Sequence, residues 1–279
     1  MGNEATVLAG RVAVITGGSR GLGLEFARLL GRHGATVVLT ARTGEVVERA
    51  AAELRDSGLR AHGLAADVGV LADVERVRDE ALRHGVLDIW VNNAGAAGVY
   101  GPTVTTPVAD FERVVRTNIL GTFYGSRVAL AVFLDQGHGD LVNLYGRGDN
   151  GPVPLQNAYA SSKAWIRNFS RALQGEVKGT GVRVHGMNPG LVLTDMLGRV
   201  STQPGFEEQI KALPIVAALW GQSPEIAARP LLDLVTSDRR EFRDLRRRTM
   251  VTRGLAHLLQ GRLRRARRMP MDVTVIRET

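Results

Sequence analysis

The sequence lacks cysteine altogether, across 279 residues. Disulfide bonds and thiolate metal sites are therefore excluded, and we expect an intracellular rather than a secreted protein. Long apolar runs are also absent, because no window approaches the roughly 18 apolar residues that a membrane span needs. The first ten residues, MGNEATVLAG, contain no charged region followed by an apolar core and so do not resemble a secretory signal. These absences together predict a soluble, cytoplasmic protein without a membrane span.

Positive charge is unevenly distributed along the chain. The net charge is +8, yet residues 238–268 hold twelve arginines against three acidic residues, which leaves about −1 for everything else. Leucines at helical spacing give this segment one apolar stripe: Leu255, Leu258, Leu259 and Leu263. The pattern predicts a C-terminal helix that packs on the domain or on a partner subunit, with an anionic surface as the alternative. Nucleic acid is not expected as a partner, because Phe242 is the segment's only aromatic residue.

Short apolar runs alternate with longer amphipathic segments over most of the chain. The runs are continuously hydrophobic, as expected of parallel strands covered on both faces, and lie at residues 12–16, 36–40, 87–93, 140–144 and 182–189. Helical patterns lie between them, for example over 22–34 and 108–130. This alternation predicts the α/β class, with a doubly wound parallel sheet of the Rossmann type. We expect one domain over residues 1–237 and a basic extension over 238–279.

A glycine-rich loop follows the first predicted strand. It reads TGGSRGLG over residues 16–23, with Gly17, Gly21 and Gly23 at the turn into the first predicted helix. Glycines there allow the backbone to turn tightly and to approach a pyrophosphate, and the helix N-terminus offers free amide groups to that anion. Its position between a buried strand and a helix makes the loop a dinucleotide-binding motif.

The spacing T-G-x-x-x-G-x-G resembles that of the short-chain dehydrogenase/reductases. Further motifs of that family follow in order: Asp67-Val68, Asn92-Asn93-Ala94-Gly95, Asn118, Tyr159-x-x-x-Lys163, and Pro189-Gly190 with Thr194. The resemblance covers roughly residues 10–237. It implies a nicotinamide cofactor, with the adenine amino group donating to Asp67, Asn93 bracing the strand end, and Thr194 contacting the carboxamide.

The cofactor-binding residues implied by this resemblance form one set. They are Gly17, Ser19, Arg20, Gly21, Leu22, Gly23, Arg42, Asp67, Val68, Asn93, Ala94, Gly95, Tyr159, Lys163, Pro189, Gly190 and Thr194. Charge predicts which cofactor they hold. Ala41 stands where NAD-dependent members carry an acidic residue, and Arg42 follows it, with Arg20 as a second cation in the glycine loop. A cation at this place accommodates a 2′-phosphate, so we predict NADP(H).

Tyr159 and Lys163 are four residues apart, the spacing that places two side chains on one helix face. A phenol is a poor proton donor or acceptor at neutral pH, but an adjacent ammonium favours the phenolate and brings the pKa of Tyr159 closer to the working range. Tyr159 is therefore the predicted general acid for carbonyl reduction, or the base in the reverse direction. The resemblance adds that Lys163 holds the nicotinamide ribose and that Asn118 shapes a water chain to the site.

One member of the family's catalytic set is missing. Its serine, which hydrogen-bonds the substrate oxygen, lies 13 residues before the tyrosine, and Gly146 occupies that position here. Candidate replacements are Tyr145, Arg147 and Asn150, although strand alternation counts against Tyr145. The glycine also predicts space for a bulkier substrate. Arg147-Gly148-Asp149 spells a cell-adhesion tripeptide, which we interpret as coincidence.

The segment over 191–220, which caps the substrate pocket in the family, is rich in apolar residues such as Met196. A moderately large apolar or aromatic substrate is therefore expected. The predicted function is NADPH-dependent reduction of a carbonyl, imine or quinone group. The alternative is a cofactor-binding protein of this fold with a non-redox function, as a cyclase or dehydratase, or a regulatory one. The resemblance implies a homodimer, and the six histidines show no metal-ligand spacing.

Overall fold

A computed structural model describes residues 6–244, 252–254, 256–258 and 272–276. The strands of the described chain are β1 (Val12–Thr16), β2 (Thr36–Ala41), β3 (Ala61–Ala65), β4 (Leu87–Asn92), β5 (Gly139–Leu144), β6 (Val182–Asn188), β7 (Arg199–Thr202), β8 (Glu241–Arg243) and β9 (Asp272–Val275). The longer helices are α1 (Gly21–Arg32), α2 (Gly44–Asp56), α3 (Leu71–Arg83), α4 (Val108–Val114), α5 (Gly121–Gln136) and α6 (Asn157–Glu176). Shorter helices follow: α7 (Asp195–Gly198), α8 (Glu207–Ile210), α9 (Leu213–Trp220), α10 (Pro224–Ala228) and α11 (Pro230–Thr236).

Seven strands form one parallel sheet in the order β3-β2-β1-β4-β5-β6-β8. The chain runs outward from β1 to β3 and then crosses to β4, so the strand order reverses between β1 and β4. In such sheets the carboxyl ends of the strands leave a crevice at the reversal, where ligands bind. The predicted doubly wound parallel sheet is confirmed, and it directs the glycine loop after β1 and the loop after β4 to this crevice.

Burial on both faces explains why the strand sequences are continuously apolar. Along β1, Ala13 and Ile15 face one core layer, whereas Val12 and Val14 face the other. Phe26 of α1 is fully buried in the first layer, and Trp90 and Phe133 are fully buried in the second. Each fully buried large apolar side chain stabilises the fold by about 1.5–3 kcal/mol before entropy is counted. The two layers hold the sheet rigid beneath the crevice.

The segment predicted as one helix over 108–130 is interrupted. After α4, a wider π-helical turn spans Val115–Leu120 before α5 begins. Such turns are rare and occur frequently at functional sites. The turn contains Asn118, which is fully buried.

The basic extension is joined to the rest of the chain by its described parts. Strand β8 lies beside β6 at the edge of the main sheet, and β9 pairs with β7 in a separate two-stranded parallel sheet. The division into a domain over 1–237 and a basic extension over 238–279 stays a prediction. Of the predicted apolar stripe, Leu255, Leu259 and Leu263 lie outside the described residues, and Leu258 is exposed. No helix within the described ranges is both long and apolar enough to cross a membrane.

Candidate functional site

The glycine loop forms a tight turn at which the phosphates of a ligand can approach the protein backbone closely. Gly17 and Gly21 have φ of 62° and 54°, in the left-handed region that side chains rarely adopt. A Cβ on Gly23 would lie 2.5 Å from Asn93 Nδ2, so only glycine allows α1 to start this close to β4. The free amide groups of the α1 N-terminus lie at this turn, as an anion requires.

Asn93 ties the loop after β4 to the glycine turn. Its Nδ2 donates to the carbonyl oxygens of Thr16 and Gly17 at 2.9 and 3.1 Å. In return, the Thr16 hydroxyl accepts from the backbone amides of Asn93 and Ala94 at 3.0 and 3.1 Å. A Cβ on Gly17 would lie 2.9 Å from the Ala94 Cα. These hydrogen bonds join the loops after β1 and β4 into one rigid unit at the crevice.

Cations and an acid flank the predicted adenosine side of the crevice. Arg42 is exposed at the carboxyl end of β2 and, within the described residues, has no ion pair. Arg20 instead lies 3.6 Å from Asp195 of α7, measured from Nη1 to Oδ2, and both side chains are largely exposed. Asp67 Oδ1 accepts from the Gly69 amide at 2.8 Å, which fixes the carboxylate, and Val68 is buried against Gly121. Of these two arginines, Arg42 is the one without an ion pair among the described residues.

The structure brings the predicted catalytic residues together on α6 and the π-helical turn. Lys163 is 5% exposed, and its Nζ donates to the Leu144 carbonyl at the end of β5, at 3.0 Å. Asn118 Oδ1 accepts from the Ala96 amide, and its Nδ2 donates to the Ala96 carbonyl and to Ser162 Oγ. Both polar groups of Asn118 therefore bind protein, so that the residue clamps the loop after β4 to α6.

Gly146 lies directly beneath the tyrosine hydroxyl. A Cβ added at Gly146 would lie 2.6 Å from Tyr159 Oη, and 3.3 and 3.4 Å from Cγ and Cε of Lys163. The hydroxyl therefore occupies the place that a side chain at position 146 would need. The interpretation that the glycine leaves space for a bulkier substrate differs from this structure, because the tyrosine itself fills that space.

The pKa values of the pair differ from the sequence-based expectation. Burial, with a smaller contribution from the Asp149 carboxylate, raises the pKa of Tyr159 to about 12. Burial also lowers the pKa of Lys163 from 10.5 to about 8, and Asp149 opposes that change. The expected stabilisation of the phenolate by Lys163 is thus outweighed by desolvation, which disfavours any charged form. A raised pKa favours the neutral, protonated form of the Tyr159 phenol.

We expect Lys163→Met to make the fold more stable near pH 7 and this gain to shrink as the pH rises. The folded pKa of Lys163, about 8, lies below the ordinary value of 10.5, so the unfolded chain binds more protons between these values and stability rises with pH. Lys163→Met has no such term, so its advantage should fall by about 2 kcal/mol between about pH 7 and pH 9.5. Urea unfolding at several pH values measures the difference.

The matched control for this prediction is Lys178→Met. Lys178 is exposed just beyond the end of α6, so its removal should leave the pH dependence of unfolding as in the wild type. A pH-independent difference between wild type and Lys163→Met would show that Lys163 is not desolvated as the structure has it. The comparison stays below about pH 10, because the raised pKa of Tyr159 makes stability fall with pH above that point.

None of the three proposed replacements for the serine is brought to Tyr159. The Tyr145 side chain leaves the strand on the opposite side from Gly146, and its hydroxyl lies against Gly186 of β6. Burial raises the pKa of Tyr145 to about 12. Asn150 is exposed and accepts from Arg167 Nη1 at 2.6 Å through Oδ1, and Arg147 is exposed. Strand alternation decides the position of Tyr145.

The segment after β6 lies over the glycine turn. Thr194 lies immediately before α7, and a Cβ added at Gly21 would be 3.1 Å from its Cγ2. Pro189 and Gly190 begin this segment, and the Gln222 side chain donates to the Pro189 carbonyl at 2.6 Å. Met196 is 45% exposed on α7. The predicted capping segment therefore starts beside the cofactor crevice.

Backbone hydrogen bonds join the capping segment to two other loops. Strand β7 bonds to the loop after β4 through the Tyr100 amide and the Ser201 carbonyl, at 2.8 Å. The next amide, that of Gly101, donates to Leu155 in the loop before α6, also at 2.8 Å. On its other edge β7 pairs with β9. Strand β7 thus joins the described end of the chain to the loop after β4.

Sequence reasoning missed a buried polar group below Gly146. Asp149 is 9% exposed, and its Oδ2 accepts from Asn188 Nδ2 at 3.0 Å and from Arg243 Nη2 at 2.5 Å. The one signal was the Arg147-Gly148-Asp149 tripeptide, and its buried aspartate is consistent with a coincidental match. Gly148 has a φ of 100°, and a Cβ added there would lie 2.5 Å from the Ala160 Cα. The turn therefore requires glycine.

The geometry of these residues fits a dinucleotide with a nicotinamide. The glycine turn and the fixed Asp67 carboxylate suit the phosphate and adenosine parts, and Lys163 lies beside Gly95 and Gly146 at the reacting end. A metal site is not seen in the described ranges, where no three histidine, aspartate or glutamate side chains are grouped to hold an ion.

Comparisons with known proteins agree with this geometry. A family model described as "short chain dehydrogenase" matches residues 11–205. The 2-(S)-hydroxypropyl-CoM dehydrogenase 3 of Xanthobacter autotrophicus is 33% identical over 84% of this chain and 92% of its own length. A putative ketoacyl reductase of Streptomyces coelicolor is 33% identical over 73% of this chain and 83% of its own length. A solved structure, a variant of actinorhodin polyketide ketoreductase with NADPH, has a TM-score of 0.74 and 30% identity, covering 83% of this chain and 92% of its own.

Proposed function

Because this chain belongs to the short-chain dehydrogenase/reductase family, we propose that it is an NADPH-dependent reductase of a carbonyl group or a related imine or quinone. The observation that carries the proposal is the place of the Tyr159 hydroxyl, which lies beside Gly146 together with the buried Lys163 side chain. The raised pKa keeps the phenol protonated before the reaction, so the Tyr159 hydroxyl is available to give a proton to a developing alkoxide.

Each residue of the site has a separate part in this reaction. The Tyr159 Oη gives its proton to the substrate oxygen as the C=O double bond becomes CH–OH. NADPH, when bound, would supply the hydride for the carbon. Lys163, anchored on Leu144, places a cation near the hydroxyl and the cofactor side, and Asn118 holds the loop after β4 against α6. Rigid placement of the donor contributes to rate because it is fixed before the substrate arrives.

The missing serine narrows the class of substrate. Removal of a hydrogen-bond donor to a developing oxyanion typically costs about 10²- to 10³-fold in rate. A substrate whose oxygen already has an intramolecular hydrogen bond, such as a hydroxyquinone or β-dicarbonyl, is less dependent on that donor. The half-buried Leu197 and the exposed Met196 beside the crevice favour an apolar or aromatic body.

The test is a panel of aromatic and polycyclic ketones, hydroxyquinones and imines, with NADPH oxidation followed by absorbance. The proposal expects turnover that is faster for substrates with an internal hydrogen bond to the reacting oxygen. If NADPH binds and no member of the panel is reduced, the reductase proposal fails, and the non-redox or regulatory alternative takes its place.

The cofactor is proposed to be NADP(H), and Arg42→Ala tests this. Loss of a charge-assisted contact to the 2′-phosphate should weaken NADPH binding by about 10- to 100-fold, with NADH binding nearly unchanged. Fluorescence titration of each reduced cofactor gives the two dissociation constants. Arg49→Ala, which removes an equally exposed arginine from α2, is the control and should change neither. Equal affinities of the wild type for NADPH and NADH would contradict the proposal.

A homodimer in the cytoplasm is proposed as the assembled state. Helices α5 and α6 present aromatic side chains that stack on one another, with Phe123 near Phe169 and Trp165 stacked on Phe169 at 4.7 Å. Phe123 is 38% exposed, which leaves an apolar face for a second copy. Sedimentation that gave only monomer at micromolar concentration would contradict this assembly.

A further inference from the structure

A buried carboxylate that the proposed mechanism leaves unused lies behind the catalytic pair. Asp149 follows Gly146 by three residues, and its amide donates to the Gly146 carbonyl at 3.1 Å. Asn188 of β6 donates from Nδ2 both to that carbonyl, at 3.3 Å, and to Asp149 Oδ2, at 3.0 Å. Gly146, which lies against the Tyr159 hydroxyl, is therefore held through its carbonyl oxygen by hydrogen bonds from Asp149 and Asn188.

Arg243 pairs with this carboxylate from the edge strand β8. Its Nη2 lies 2.5 Å from Asp149 Oδ2, and the arginine side chain is 24% exposed. Removing one member of a buried pair leaves an uncompensated charge, so the two residues act together. The neighbouring Asp244 is engaged elsewhere, in two bonds with Arg253 at 2.5 and 2.6 Å. Arg243 is thus the cation that balances Asp149.

The charged and titratable groups around Asp149 come from three directions. They are Arg243 on β8, Tyr159, Lys163 and Arg167 on α6, and Arg147 on the loop itself. Arg167 Nη1 donates to the Asp149 carbonyl oxygen at 3.3 Å and to Asn150 Oδ1, and Arg147 is exposed. Solvent therefore partly screens the interaction of both arginines with the Asp149 carboxylate. Lys163 and Arg243 are the cations that the carboxylate affects most directly.

We propose that Asp149 is a positioning residue for proton transfer: it holds Gly146 under the Tyr159 hydroxyl and favours the charged form of Lys163, and Arg243 limits that electrostatic effect. The Asp149 charge opposes the desolvation of Lys163 and disfavours a phenolate at Tyr159. Both effects keep an ammonium and a neutral phenol side by side, which is the state that donates a proton in reduction. The kinetic part of this proposal rests on the proposed reductase function, and the electrostatic part does not.

The electrostatic part is tested by NMR titration of lysine labelled with ¹³C at Cε. The chain contains three lysines, Lys163, Lys178 and Lys211, so three signals are expected, and Lys163→Met identifies the first by its loss. Asp149→Asn should lower the titration midpoint of Lys163 by about one pH unit, whereas Arg243→Gln should raise it. The signals of Lys178 and Lys211 should not move in either variant.

A purely structural role would give a different pattern. Loosening of the loop admits water to Lys163, and the midpoint would then rise toward 10.5 in both variants. A rise in Asp149→Asn therefore overturns the proposal. Asp135→Asn, which removes an exposed carboxylate from α5, is the control and should leave all three midpoints unchanged.

The kinetic part is read from the pH profile of NADPH oxidation. The part of the profile in which activity changes with the protonation of Lys163 should move to lower pH in Asp149→Asn. The shift should equal that of the NMR midpoint, and the KM for NADPH should change little. If the midpoints move in opposite directions and no substrate is turned over, the reductase function fails and the electrostatic coupling stands. If turnover is normal and the midpoints do not move, Asp149 has no positioning role.

Discussion

Tyr159→Phe is expected to lower kcat by about 10²- to 10⁴-fold and to leave NADPH binding within about 2-fold of the wild type. The phenylalanine ring keeps the packing on α6 and removes only the hydroxyl beside Gly146, which is the proton donor of the proposed reaction. Because the loss concerns a proton given in the transition state, kcat and kcat/KM should fall together. Steady-state kinetics with a panel compound that the enzyme reduces measure kcat and kcat/KM. Fluorescence titration measures NADPH binding.

Tyr145→Phe is the matched control. Tyr145 precedes Gly146 in the sequence, whereas Tyr159 lies beside Gly146 in space. The Tyr145 hydroxyl lies against Gly186, on the other side of the strand from the reacting centre. Its removal should leave the turnover of the panel substrate nearly unchanged. Tyr145→Phe that loses as much activity as Tyr159→Phe would show that the Tyr145 side chain reaches the substrate, and the assignment of the donor would fail.

Gly146→Ala is expected to lower kcat by about 10- to 100-fold. The added Cβ would lie 2.6 Å from Tyr159 Oη, closer than any normal contact, so the hydroxyl has to move away from its place. Displacement of a reacting group by about 1 Å can cost about 10²-fold in rate. Lys163 Cγ and Cε lie 3.3 and 3.4 Å from the same Cβ, so the added methyl group is crowded by the lysine as well.

Gly146→Ser separates two effects of the missing side chain. It adds the same Cβ as Gly146→Ala together with a hydroxyl, so any activity above that of Gly146→Ala measures what the family's serine contributes. Gly151→Ala is the control from the same loop, because a Cβ there has nothing within 4 Å. Turnover of Gly146→Ser above the wild type would mean that Tyr159 reacts from a different position from the one described.

The strands β1, β2, β4, β5 and β6 were predictable because a parallel sheet covered on both faces demands continuous apolar runs, whereas the less buried β3 gave no such run. The predicted run 12–16 is β1 to the residue, and 36–40 lacks only the last residue of β2, Ala41. The long helix was less predictable. Its apolar spacing is compatible with α-helix throughout, and the π-helical turn over Val115–Leu120 depends on Asn118 meeting Ala96 and Ser162. Contacts with two distant elements decide that local geometry.

The polar support of the site could not be predicted for a similar reason. Asp149 and Arg243 are 94 residues apart, and Asp149 and Asn188 are 39 apart, so no spacing in the sequence connects them. They meet because β5, β6 and β8 are neighbours in the sheet. The pKa values of Tyr159 and Lys163 were expected from their mutual spacing, but burial of both side chains has the larger effect.

By itself the sequence determined the class of the fold, the family and the place of the cofactor crevice. Those properties depend on local patterns: apolar runs, a glycine turn after a strand, and a tyrosine one helical turn from a lysine. Only the tertiary structure decided what stands in place of the absent serine, namely the Tyr159 hydroxyl lying over Gly146 with Asp149 beneath. Desolvation and contact between distant elements control that arrangement, and neither is encoded in the spacing of neighbouring residues.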